Sequence, residues 1–166
     1  MTIRTARDTD RAAIASVQTE SWQDTYADQL PAAYRNSGLE ADLHAHWKST
    51  TMEPGDLVLV SETDGAIEGF IAVWCRPDPF IDNLHVRPAA RSGGLGAALM
   101  REAARRLRGA GHDSAFLWVV ADNTAAVRFY ERLGGTITRQ AEKDLFGHQA
   151  LHLKVEWSAL DPLADR

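Results

Sequence analysis

Two hydrophobic periods alternate along this chain. Short runs rich in Val, Ile and Leu are separated by stretches whose apolar residues return every three or four positions. Ile3 to Thr5 predicts a short first strand. Asp8 is placed to cap a helix that carries Ile14, Val17 and Ser21 on one face and fades near Trp22 to Tyr26. Pro31 can open another short helix, and Leu39, Leu43 and Trp47 stand at helical spacing. After Pro54-Gly55, Asp56 to Glu62 and Ala66 to Cys75 read as strands joined at Asp64-Gly65, a hairpin turn in which Gly accepts positive φ. Arg76-Pro77-Asp78-Pro79 must be a loop, because its two prolines remove two donors.

Phe80 to Val86 is the next strand, stopped by Pro88. From Gly94 to Arg108 the period turns helical, with Leu95, Ala98, Leu99, Ala103 and Leu107 as one stripe, and Gly109 to Gly111 ends it. Ala115 to Val120 is an apolar run of strand length, suited to burial on both faces. Asn123 to Leu133 is a shorter helix ending at Gly134-Gly135. Thr136 to Gln140 and Gln149 to Trp157 read as the last strands, and the tail from Ser158 onward is expected to fray. Phe80 to Val120 has the order of a βαβ unit, which implies parallel pairing with a right-handed crossover. The fold class is therefore α/β, with a mixed sheet.

Composition narrows the function classes. Apolar residues at 45% and charged residues at 25% are near the globular average, so a chain disordered throughout is excluded. A net charge of −5 argues against nucleic acid held on a broad basic face, although basic residues gather between Arg87 and Arg108. No apolar run approaches the roughly 20 residues of a membrane span, and the first residues lack the apolar core of a signal peptide. Cys75 is the lone cysteine, which rules out an intrachain disulfide and suits a reducing, cytoplasmic setting. The scattered histidines predict no metal site.

The segment richest in chemistry is Arg91-Ser92-Gly93-Gly94-Leu95-Gly96, set between a strand and a long helix. Such a junction offers free backbone N–H groups and the positive end of the helix dipole to an anion, and Arg91 can add a charged donor. The glycine spacing differs from a dinucleotide fingerprint, and the lysine of a P-loop is missing. Arg91-x-x-Gly94-x-Gly96 matches the Gln/Arg-x-x-Gly-x-Gly/Ala motif of the GCN5-related N-acetyltransferases (GNAT). Asn123-Thr124-Ala125-Ala126-Val127-Arg128-Phe129-Tyr130-Glu131-Arg132-Leu133-Gly134 resembles that family's Asn-x-x-Ala-x-x-Phe-Tyr-x-x-x-Gly helix. The two motifs, in order and separated by a helix and a strand, make the resemblance specific from Phe80 to Gly135.

The resemblance implies one acetyltransferase domain over residues 1–166, with a central sheet whose fourth and fifth strands splay apart. It implies acetyl-CoA as cosubstrate, with the pyrophosphate on the backbone of Ser92, Gly93, Gly94, Leu95, Gly96 and Ala97, helped by Arg91. The pantetheine arm would run along Leu84, His85 and Val86, and Asn123 would touch the cofactor or cap its helix. Ser92 and Gly93 depart from the family's usual Gly-Arg/Lys, and Gly135 replaces a common Phe. Tyr130 is the expected acid that protonates the departing thiolate.

The base is less determined. In a regular strand positions 80, 82, 84 and 86 share one face, which makes Asp82 the leading candidate; His85 would point the other way unless a bulge intervenes, and Glu20 is a third option. Trp22 and Tyr26 are candidate walls of the acceptor pocket, whereas Trp74 and Trp118 read as core. A buried Cys75 makes an acetyl-cysteine intermediate unexpected. Direct transfer to a small-molecule primary amine is the expected reaction, with a homodimer compatible. The alternatives are a protein N-terminal or lysine acetyltransferase, or a non-catalytic acyl-CoA-binding module.

Overall fold

A computed structural model describes residues Met1–Arg166. Seven strands form one sheet in the order β1-β2-β3-β4-β5-β7-β6. They are β1 (Thr2–Thr5), β2 (Leu57–Thr63), β3 (Ala66–Cys75), β4 (Pro79–Val86), β5 (Ala115–Val120), β6 (Thr136–Leu145) and β7 (His148–Trp157). The helices are α1 (Arg11–Thr25), α2 (Gly38–Ser49), α3 (Leu95–Gly109), α4 (Thr124–Arg132) and the short α5 (Asp161–Ala164). No helix is long and apolar enough to cross a membrane.

The sheet separates two cores. Leu59, Ile71 and Val73 face α3 and α5, whereas Val58, Val60, Phe70 and Ala72 face α1 and α2. Two-sided burial explains why β2 and β3 read as nearly continuous apolar runs. On the α1 side Trp47 is fully enclosed, and its Nε1 donates to the buried Gln18 Oε1 at 2.7 Å. Gln18→Ala should cost about 1–3 kcal/mol by orphaning that indole N–H. An unshifted denaturant midpoint would show that the indole finds another acceptor.

Three expectations are corrected. Asp8 does not cap α1: a 3-10 turn, Asp8–Asp10, precedes it. Asp10 is the carboxylate that closes this turn, accepting from the Arg7 backbone N–H at 2.7 Å and from Arg4 at 2.7 Å. The tail does not fray, because Leu160, Leu163 and Ala164 are buried in the α3-side core. The last hairpin is longer than the pattern suggested. β6 and β7 pair from Thr136↔Glu156 to Leu145↔His148, turning at Phe146-Gly147, both at positive φ.

One irregularity sets the site. β4 and β5 pair in parallel at a single position, Phe80↔Phe116, and then diverge as the splay requires. β3 with β4, apart from one bulge, and β5 with β7 stay paired along their lengths, so the sheet opens at this seam.

Candidate active site

β4 carries a bulge. Ala72 faces Asn83 and Val73 faces Ile81, which leaves Asp82 as the extra residue. The bulge shifts the side-chain alternation by one. Ile81, Leu84 and Val86 therefore pack toward the α3-side core. His85, paired with Phe70, lies on the α1 side, as does Asp82, whose Oδ2 accepts from Trp74 Nε1 at 2.8 Å. The regular-strand expectation that 80, 82, 84 and 86 share a face is overturned, and Asp82 and His85 stand on the same side.

The glycine loop forms as a cradle. Ser92 and Gly94 take φ of 72° and 76°, and α3 starts at Leu95 with no side-chain cap. The first intrahelical bond is Ala98 N–H to the Gly94 carbonyl at 3.0 Å. The N–H groups of Leu95, Gly96 and Ala97 thus have no intrahelical acceptor. A Cβ on Gly96 would sit 3.3 Å from the Phe129 ring, so this glycine lets α3 approach α4. Arg91 also fastens the loop to its neighbours. Its guanidinium pairs with Asp24, donates to Ser21 Oγ at 3.2 Å and to the Val86 carbonyl at 3.3 Å, tying the loop to α1.

A cleft of about 1360 Å³ passes through the splay. Asp82, Leu84, His85, Val86, Arg91, Ser92, Gly94, Leu95, Gly96, Ala97, Asn123, Tyr130, Trp22 and Tyr26 all line it, while Gly93 and Glu20 do not. Glu20 is instead held by Arg87. Asn123 performs its capping role, its Oδ1 accepting from the Ala126 N–H at 3.2 Å.

Tyr130 reaches the cleft from α4, with its ring against Phe129 and Trp157. Enclosure, and next the proximity of Tyr26, push its hydroxyl pKa well above the ordinary phenol value, so it is held as a proton donor. Tyr26 is raised too, by burial, with Asn123 opposing.

His85 is unsuited to be the base. Its Nδ1 lies 3.0 Å from Ser21 Oγ. Arg91 also donates to that oxygen, so the ring is anchored through Nδ1 to a hydroxyl already engaged by a cation. Burial, and next the Arg91 charge, push the ring down to about 3. The unfolded imidazole takes a proton below about 6.5, and the folded one does not until far lower. The stabilisation is therefore complete above about pH 6.5 and is lost as pH falls toward 3. His85→Gln should flatten that part of the stability curve in pH-dependent denaturation. Equal slopes for the two proteins would mean that water reaches the ring.

Three further residues join the wall. Phe146, at the hairpin tip, packs edge-on against Trp22 at 5.0 Å and Tyr26 at 5.7 Å. Trp118, expected in the core, lines the cleft with Lys143 Nζ 4.2 Å above its ring. His152 of β7 also faces the cleft. Strand alternation was visible for both strands, but which face meets the cleft depends on the splay.

Residues 15–135 match the Acetyltransferase (GNAT) family. The chain belongs to that family. GNAT enzymes are acetyltransferases that draw on acetyl-CoA, and the splayed sheet and uncapped α3 are where this chain meets that description. The chain is 28% identical over 146 residues to an L-methionine sulfoximine/L-methionine sulfone acetyltransferase of Salmonella typhimurium, covering 84% of this chain and 82% of the relative. It is 42% identical over 78 residues to a mycothiol acetyltransferase of Streptomyces avermitilis, a match spanning 45% of this chain but only 25% of that longer protein. Among solved structures, yncA of Salmonella typhimurium, crystallised with its cofactor acetyl-CoA, superposes with a TM-score of 0.72 at 25% identity, over 97% of this chain and 94% of the other.

Proposed function

We propose that this GNAT acetyltransferase transfers the acetyl group of acetyl-CoA directly to the primary amine of a small molecule. The observation that carries the reading is a cleft running through the sheet, with an anion cradle at one mouth and an aromatic wall at the other. The site fits the cofactor. The free N–H groups of α3 suit a pyrophosphate. β4 beyond Phe80 presents an edge unpaired with β5, to which an amide-bearing arm can add as a strand. Bound there, acetyl-CoA supplies an activated thioester carbonyl. Tyr130 holds a proton for the departing sulfur, and the aromatic wall excludes water from the reacting atoms.

A small acceptor is favoured by the far mouth. The hairpin tip brings Phe146 onto Trp22 and Tyr26, which supplies an aromatic wall of the size of a small organic amine. Cys75 sits outside the cleft wall with its thiol pushed up by burial, which supports transfer without an acetyl-cysteine. The test is calorimetric titration with acetyl-CoA, then CoA release in the presence of L-methionine sulfone, phenethylamine or an alanine-terminated peptide. Micromolar binding and release accelerated by a small amine are expected. Acceleration by the peptide alone would transfer the reading to a protein acetyltransferase, and no binding by folded protein would end it.

A further inference from the structure

We infer that His152 is the general base of this site. The inference rests on the acetyltransferase reading and adds the group that deprotonates the acceptor. His152 pairs with Val120 across β5 and β7, at the open end of the splay. Its ring is enclosed, with 9% exposure, and lines the same cleft as Tyr130. Nδ1 lies 2.8 Å from the Ala150 carbonyl. A carbonyl can only accept, so Nδ1 carries the proton and the lone pair is left on Nε2. Nε2 has no hydrogen-bond partner in the chain, yet it is not among the solvent-sealed unpaired atoms, which are Ser61 Oγ and Arg101 Nε. It therefore opens on the cleft as a free acceptor with a fixed tautomer.

The other candidates are each engaged within the chain. His85 is tied through Nδ1 to Ser21, and burial opposes its protonation. Glu20 and Asp24 are paired with Arg87 and Arg91. Asp82 is anchored by Trp74 and Asn83, both on Oδ2, and keeps Oδ1 without a partner in the chain.

The placement also matches the direction of the reaction. Leu153, Val155 and Trp157 of β7 pack in the α3-side core, so by alternation His152 lies on the α1 side. Tyr130 comes from α4 and packs on the α3 side. The acid and the base thus approach the splay from opposite faces, as the cofactor and the acceptor must. His152 Nε2 takes a proton from the acceptor ammonium, directly or through one water. The freed nitrogen pair forms the C–N bond as the C–S bond breaks, and Tyr130 gives its proton to the sulfur. The second proton lost by the nitrogen resets Tyr130, and the proton on His152 leaves to solvent.

The experiment compares wild type with His152→Asn and His152→Ala. It reads acetyl-CoA affinity by calorimetry and turnover by CoA release. The acceptor is the fastest amine of L-methionine sulfone and phenethylamine, or water if neither accelerates release. Unchanged affinity, turnover lowered about 10²–10³-fold in both variants, and partial recovery of His152→Ala by added imidazole are expected. Wild-type turnover in His152→Asn, or a loss in His152→Ala that imidazole leaves untouched, overturns the inference. Should neither variant fold, ¹⁵N NMR of the wild-type ring decides: a proton on Nδ1 supports the assignment and a proton on Nε2 sinks it. Failure of wild type to bind acetyl-CoA is a separate outcome, and it removes the acetyltransferase reading itself.

Discussion

Tyr130→Phe should lower turnover by about 10²–10³-fold while leaving acetyl-CoA affinity within about twofold of wild type. The substitution removes one oxygen and nothing else. The ring keeps its edge contacts with Phe129 at 5.2 Å and Trp157 at 6.1 Å, so the α4 packing that shapes the cleft survives. The hydroxyl faces the cleft and is not among the sealed unpaired atoms, so no buried partner is orphaned, and thermal stability should hardly change. What is lost is a proton donor whose pKa is raised by enclosure and so stays protonated at neutral pH. Without it the sulfur must depart as a thiolate into a low-dielectric site. Single-turnover CoA release separates the chemical step from binding. An unchanged rate constant would mean that water protonates the sulfur, and that Tyr130 is only a packing residue.

Gly94→Val should weaken acetyl-CoA binding by about a hundredfold. Gly94 has φ of 76°, in the left-handed region, and there is open space where a Cβ would stand. The objection is therefore conformational, not steric crowding from neighbours. An L-residue in that region costs about 1–2 kcal/mol, and a β-branched one more. The loop can relieve the strain only by turning, which re-aims the N–H groups of Leu95, Gly96 and Ala97. Each charge-assisted bond to phosphate lost in this way costs about 1.5–3 kcal/mol. Calorimetry should show the weaker affinity with a cooperative melt retained, since Gly94 lies outside both cores. Native affinity would mean that the pyrophosphate rests elsewhere.

Much of the molecule could be read before folding it. The strands and main helices follow from period, and the Gly loop and the Asn123–Gly134 helix are legible because both depend on local geometry: a positive φ before an uncapped α3, and an Asn cap before α4. Gly135 was legible as a departure but not in its meaning. A Cβ there would lie 2.5 Å from Val155 and 2.9 Å from Trp157, so strand β7 leaves no room for one. The packed tail was missed because a four-residue helix has no period to detect. Its Leu160 and Leu163 are buried only because α3 offers a groove.

The order of elements, the glycine loop ahead of α3 and the place of Tyr130 on α4 are written in neighbouring residues. Which side chains meet depends on how the distant strands pair. The extra residue at Asp82 changed the parity of β4 and placed His85 beside Ser21 and Arg91. The divergence after Phe80↔Phe116 turned Trp118 from an expected core position into a cleft wall and set His152 beside the same cleft. The hairpin tip carried Phe146 across to α1. These outcomes rest on pairing between strands distant in the chain, and a one-residue change of register moves every later side chain to the other face.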